Sequence, residues 1–244
     1  MIGVRFVDGA GRLLSGGGKV VKNAAGFDLP KLMVGSLGRL GIMTQLSFKV
    51  FPSPRGTVTL EFEPGTTAAA LRAASELTAG ARQLDAVDVL PGGRLLVRIG
   101  GDPQTLAPRC ARLAASGITG PLLATHEDER DREIWADAAE LSWAGEDVAA
   151  VRVPISLGQA VELEQAVAAL NGTVRFALAV NVAWVGWPCD LPLARLGEAL
   201  RAMRLSGVVL SGADAPALIG APLANAFGER VRRALDPFER FLEV

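Results

Sequence analysis

The run Val34-Gly35-Ser36-Leu37-Gly38-Arg39-Leu40-Gly41-Ile42-Met43-Thr44 carries the residue types best suited to holding a ligand. Its three glycines recur at every third position, a serine sits among them, and an apolar stretch follows. Glycine adopts positive φ without steric penalty and lets the backbone approach a ligand closely. Successive free N–H groups in such a turn form a concavity for an anion or for the polar edge of a cofactor. A second unusual run precedes it, Gly16-Gly17-Gly18-Lys19-Val20-Val21-Lys22-Asn23-Ala24-Ala25-Gly26-Phe27-Asp28-Leu29. Together the two runs read as half of a cofactor site.

Two standard phosphate patterns fail here. A Walker-type loop requires Gly-x4-Gly-Lys-Ser/Thr, whereas Leu13 stands five before Gly18 and Val20 follows Lys19. A dinucleotide fingerprint requires Gly-x-Gly-x-x-Gly opening a helix, whereas Gly35, Gly38 and Gly41 are evenly spaced and lead into a strand pattern. Gly38-Arg39-Leu40-Gly41 matches the clamp of a KH domain, but four residues match by chance. On spacing alone, a turn needed only for packing competes with the cofactor reading.

Elsewhere the chemistry is sparse. His126 is the one histidine. Its pKa suits a proton acceptor, but an exposed histidine ahead of the charged run Glu127-Asp128-Glu129-Arg130-Asp131-Arg132-Glu133 is the preferred reading. One histidine with Cys110 and Cys189 offers no converging metal-ligand set and no iron–sulfur spacing. The acidic run reads as a solvated helix face. Trp135, Trp143, Trp184 and Trp187 suit an interface, with Trp184 better placed in a core and Trp187, before Pro188, at the surface. Lys19 and Lys22 face either an anionic ligand or solvent.

The elements that must position these residues follow from periodicity. Residues 1–7 and 12–14 read as a hairpin around Asp8-Gly9-Ala10-Gly11. A short helix spans 28–34, with Asp28 as N-cap and Pro30 in its first turn. Ile42 to Phe51 alternates, which predicts a strand burying Leu46, Phe48 and Val50. After Pro52-Ser53-Pro54 the composition shifts toward alanine, leucine and arginine. Strands are expected at 57–62, 84–90, 95–99, 148–153, 174–185 (long, or a bent pair) and 208–210. Helices are expected at 66–77, 102–116, 127–141, 157–170, 193–203 and 221–235. That order is β-α-β-β-α, an acidic helical insert, then β-α-β-β-α-β-α, which reads as a repeated ferredoxin-like α+β layer.

Composition bounds the function. The 244 residues are half hydrophobic and carry 25 basic against 26 acidic side chains, a net charge of -1. A sizeable core is available, and there is no global electrostatic case for nucleic acid or an anionic membrane. No apolar run reaches the roughly 18 residues of a membrane helix, and the N-terminus lacks a signal-peptide plan. The expected location is cytoplasmic, peripheral to the inner membrane only through partners.

Gly18 to Leu29, Leu32 to Thr44 and Phe48-Lys49-Val50-Phe51-Pro52 together resemble the FAD-linked oxidases of the vanillyl-alcohol-oxidase (PCMH-type) class, most closely the E-subunit family of bacterial glycolate oxidase. Ala221-Pro222-Leu223 and Leu235-Asp236-Pro237 agree more weakly. The resemblance implies the second half of a PCMH-type FAD-binding domain at 1–53 and a ferredoxin-like α+β substrate or cap domain at 54–244. It implies FAD held largely through backbone groups of Gly35, Ser36, Leu37, Gly38, Arg39, Leu40, Gly41 and Ile42, with Asn23 and Gly26 beside them. It implies oxidation of glycolate or another 2-hydroxyacid, a flavin-carrying D-type subunit and an iron–sulfur subunit as partners, and no identified catalytic residue. Phe27 replaces the usual tyrosine, and the family's Phe-Asn-Pro-Gly-Arg tail is absent or altered after Pro237. The family's main pyrophosphate-binding loop would precede residue 1, so the chain is expected to be a carboxy-terminal piece that is colourless when purified alone. The alternative expectation is a non-catalytic scaffold that binds no FAD by itself.

Overall fold

The computed structural model describes residues 1–18, 27–80, 83–177, 179–212, 216–222 and 226–241. Asn23, Gly26, Lys19 and Lys22 lie outside the described residues. The chain divides into two compact units, Met1–Ser53 with Leu223–Val244, and Pro54–Pro222.

The first unit holds β1 (Gly3–Val7), β2 (Leu13–Gly17), α1 (Leu29–Met33), β3 (Ile42–Ser47) and α7 (Ala226–Leu235). The strands form an antiparallel sheet of order β2-β1-β3. Asp8 closes the expected hairpin. One carboxylate oxygen accepts the Ala10 and Arg12 amides at 3.0 and 2.8 Å, and the other accepts Arg12 Nε at 2.8 Å. Val4, Phe6 and Met33 form the core, with Leu29, Leu40 and Leu235 packed on it. The closing segment therefore belongs here, unlike the expectation that placed it within 54–244. The Gly9 amide donates to the Leu235 carbonyl at 2.8 Å. Asp236 also lies so close over Gly9 that a Cβ there would meet Oδ1 at 2.0 Å.

The strand from Ile42 differs from expectation in two ways. It ends at Ser47 rather than Phe51. Leu46, Phe48 and Val50 are also exposed, at 41%, 61% and 82%. β3 is an edge strand, and α1 packs toward the opposite end of the sheet's order, against β1 and against Gly16 and Gly17 of β2. Alternation shows that a strand has two unlike faces; it does not supply the layer that covers one of them.

The second unit comprises β4 (Gly56–Phe62), α2 (Thr67–Ala79), β5 (Ala86–Val89), β6 (Leu95–Gly101), α3 (Pro103–Ala114), β7 (Leu122–Glu127), α4 (Asp128–Glu140), β8 (Val148–Pro154), α5 (Leu157–Ala168), β9 (Thr173–Ala177), β10 (Val182–Pro188), α6 (Leu193–Ala202), β11 (Ser206–Ser211) and β12 (Leu218–Gly220). Its strands form one antiparallel sheet of order β12-β11-β8-β10-β9-β5-β6-β4-β7. Two β-α-β-β-α-β halves are visible, β4 to β7 and β8 to β11, and each shows the same internal strand order. The α+β repeat expected from sequence is present. It gains strands β7 and β12, and the stretch after Val174 resolves into a hairpin.

Helices α2, α3, α5 and α6 share one core with the sheet. Val58, Leu60 and Phe62 of β4, Leu71 and Leu77 of α2, Leu106 of α3, Leu163 of α5 and Leu196 of α6 all belong to that continuous core, which runs the length of the sheet. Two caps explain where helices begin. Thr66 accepts the Ala69 amide at 3.1 Å, and Asp102 accepts the Gln104 amide at 3.0 Å with Pro103 following. Trp187, expected at the surface, is fully buried, whereas Trp184 is only half-buried. The register explains this exchange, because Trp187 shares the helix-packed face of β10 with Ala183 and Val185.

Candidate functional site

The glycine loop is built by α1 and β3. Asp28 caps α1 by accepting the Lys31 amide at 3.1 Å, and Pro30 occupies the first turn. The chain leaves the helix extended at Val34 and enters a run of left-handed residues, Gly35 (φ 77°), Leu37 (φ 52°) and Gly38 (φ 80°). Leu37 carries a strain of about 1 kcal/mol that glycine would avoid. The turn is held internally by Ser36 N–H to Met33 O at 3.3 Å and Arg39 N–H to Ser36 O at 3.0 Å. Among the described residues, no acceptor is bonded to the amides of Gly35, Leu37 or Gly38.

The glycines have distinct reasons. A Cβ on Gly35 or Gly38 would meet nothing within 4 Å, so positive φ and an open side require glycine there. A Cβ on Gly41 would stand 2.7 Å from the Phe6 ring and 2.9 Å from the Val7 carbonyl, so Gly41 is a packing residue under the sheet. The packing reading and the ligand reading therefore apply to different glycines of one motif.

Side chains complete the loop. Ser36 Oγ and Arg39 Nε are buried without a hydrogen-bond partner among the described residues. Arg39 also reaches Glu229 of α7 at 3.7 Å, which ties the loop to the closing helix of the same unit. Val34, Leu37 and Ile42 flank the turn and are exposed. Of the sequence-derived site residues, Gly35, Leu37 and Gly38 offer unbonded amides beside the exposed side chains of Val34, Leu37 and Ile42, whereas the Ser36 hydroxyl is buried and Gly41 packs under the sheet.

The unbonded amides of Gly35, Leu37 and Gly38 are of the kind that hold the polar edge of a flavin, and the exposed side chains of Val34, Leu37 and Ile42 are of the kind that cover a flat ring. The Cβ-free positions leave the approach open.

The second unit carries a buried polar network on the sheet face opposite α2 and α3. Asp131 of α4 is fully buried and accepts from Thr57 Oγ1 and Thr59 Oγ1, both at 2.6 Å, and from Arg98 Nη2 at 2.5 Å. Trp135 Nε1 donates to Thr59 Oγ1 at 2.8 Å. Its ring lies 5.8 Å from the Arg98 guanidinium and 5.7 Å from that of Arg175. Arg175 in turn pairs with Asp88 at 2.8 Å. Burial pushes the Asp131 carboxyl up, but the Thr57, Thr59 and Arg98 bonds outweigh it and hold the pKa below the usual range. For Asp88 burial wins, and its pKa is raised despite Arg175.

Two arginines face two aspartates in this network, so it neutralises itself and reads as structural. It was invisible in the sequence because its partners lie 33 to 87 residues apart. Asp131 is thus a buried member of a run expected to be solvated. His126, expected to be exposed, is a strand residue of β7 bonded through Nε2 to Glu61 at 2.9 Å and only 17% exposed. Glu61 is also held by Arg94 at 2.6 Å. Among the described residues, no three histidine, cysteine or acidic side chains converge as a metal site, and no helix is long and apolar enough to cross a membrane.

Known proteins were compared against this geometry. No family model matches the chain. Glycolate oxidase subunit GlcE of Escherichia coli (strain K12) is 51% identical over 63 residues, 26% of this chain and 18% of that protein. This chain is similar to the E subunit of glycolate oxidase. Glycolate oxidase subunit GlcD of Bacillus subtilis (strain 168) is 43% identical over 60 residues, covering 25% of this chain and 13% of that one. A D-lactate dehydrogenase of Archaeoglobus fulgidus is 40% identical over 50 residues, covering 20% and 11%. The matches thus span less than a fifth of these relatives, the E subunit included. In structure, alkyldihydroxyacetonephosphate synthase aligns with 98% of this chain and 53% of its own at a TM-score of 0.56 and 15% identity, which shows a shared α+β fold.

Proposed function

We propose that the chain contributes a flavin-binding wall to a 2-hydroxyacid oxidoreductase, glycolate being the first substrate to test. The observation that carries this reading is the Gly35–Ile42 turn, with its unbonded amides and orphaned Ser36 hydroxyl. The local identity to the glycolate oxidase E subunit supports it. A bound flavin supplies the hydride acceptor for the substrate's α-carbon. The chain's own work is to bind and orient: the amides of Gly35, Leu37 and Gly38 donate to polar edge atoms, while Val34, Leu37 and Ile42 cover the ring face and keep water away. Asn23 and Gly26 remain proposed neighbours. No side chain of the chain is assigned as the base.

In this reading the protein works as a subunit beside a D-type flavin subunit and an iron–sulfur subunit. Residues 1–53 carry the flavin-binding role, and the ferredoxin-like unit carries the cap role. Co-expression with those two subunits tests it through glycolate-dependent dye reduction. The expected result is activity that requires the chain and falls with Gly38→Ala. Activity independent of the chain overturns the reading. Activity that needs the chain but is indifferent to Gly38→Ala and Ser36→Ala selects the scaffold role instead.

A further inference from the structure

Between α3 and the strand ends of β5 and β6 lies a cleft of about 490 Å³. Leu84, Ile99 and Leu113 form its apolar part; Gln83, Arg109, Arg112 and Ser116 form its polar part. Arg109, Arg112, Leu113 and Ser116 recur at helical spacing, so α3 and its C-terminal turn present one face to the cleft. The volume falls in the range of small-molecule sites, and a mostly apolar wall with a few convergent polar groups is their usual plan.

The polar part is cationic and not internally neutralised. Arg109 spends its guanidinium on neutral acceptors, Nη1 on the Gly100 carbonyl at 2.7 Å and Nη2 on the Gln83 carbonyl. Asp85 lies against Gly100, and Asp102 pairs with Arg55 at 3.9 Å. Among the described residues neither of these carboxylates, nor any other, pairs with Arg109 or Arg112. This differs from the Asp131 and Asp88 networks of the same unit, where each guanidinium has its own carboxylate. A guanidinium fork left open beside an apolar wall recognises a carboxylate whose carbon chain can lie on that wall.

We propose that this cleft binds a small amphipathic carboxylate, a free organic acid with an apolar chain of a few carbons. Arg112 holds the carboxylate, Arg109 supplies a second fixed positive charge, and Leu84, Ile99 and Leu113 take the chain. The cleft lies wholly within the second unit, so the outcome at the glycine loop leaves it untouched. The test is an NMR titration of the ¹⁵N-labelled full chain with hexanoate. Saturable shifts at the Arg112, Leu113 and Ser116 amides are expected. Arg112→Gln, a change at an exposed side chain, is expected to weaken hexanoate about tenfold, as for loss of one charge-assisted contact. Hexan-1-ol and acetate each lack one half of the ligand and are expected to bind at least about tenfold more weakly. No saturation, shifts confined to other surfaces, or wild-type affinity in Arg112→Gln overturns the proposal. Hexan-1-ol equal to hexanoate overturns the carboxylate assignment.

Discussion

The glycines of the loop separate by what a methyl group would meet. Gly41→Ala drives a Cβ into Phe6 and the Val7 carbonyl, so it is expected to destabilise the first unit by about 2–3 kcal/mol, read as a lower thermal midpoint. Gly38→Ala meets only its own positive φ and is expected to cost about 1 kcal/mol while weakening FAD. Charge gives a second residue-scale expectation. Asp8, Asp131 and Asp236 all have lowered pKa values: burial raises each, and hydrogen bonds from Arg12, from Thr57, Thr59 and Arg98, and from the Arg240 and Phe241 amides more than reverse it. Their stabilisation is present above the unfolded carboxylate value of about 3.9 and is lost as pH falls through the lowered folded values. Asp88 has the opposite sign, with a contribution lost as pH rises through its raised value. Asp131→Asn is therefore expected to cost about 2–3 kcal/mol near neutral pH and to flatten the acid limb of a urea-denaturation series. An unchanged acid limb would show that other carboxylates set it.

At the scale of elements, the helices were legible and one strand face was not. α2, α5 and α6 announced themselves through Leu71 and Leu77, Leu163 and Val167, and Leu196 and Leu200, all of them buried where the 3.6-residue period puts them. β7 was missed because Leu122–Glu127 runs directly into α4 and, as an edge strand, stays largely exposed. α4 reads as polar throughout, yet Asp131 and Trp135 pin it to β4 and β6 through bonds that no local pattern encodes. Trp135→Phe keeps the ring between Arg98 and Arg175 but loses the bond to Thr59. It is expected to cost about 1 kcal/mol, against about 3 kcal/mol for Trp135→Ala, both measured by chemical denaturation. Equal losses would mean that the ring itself contributes little. The glycine loop was legible as a motif, while the division of labour between Gly38 and Gly41 needed coordinates, since both are simply glycine in the sequence.

At the scale of the molecule, the second unit is two halves of the same β-α-β-β-α-β order joined edge to edge at β5 and β9, where Val89 pairs with Phe176. The buried Asp88–Arg175 pair bridges the same two strands, so backbone and side chains close the seam together. That unit gives a self-neutralised scaffold and a cationic cleft; the first unit gives a turn with donors to spare. The central claim is that this turn binds flavin, and a fluorescence titration of the full chain with FAD tests it most directly. The account predicts weak but saturable quenching of added FAD, in keeping with a chain expected to be colourless when purified alone. Binding is about tenfold weaker again (~1.4 kcal/mol) in Gly38→Ala, with Arg112→Gln indistinguishable from wild type. Absence of saturation, or a Gly38→Ala titration that overlays the wild type while its circular dichroism is unchanged, would contradict it.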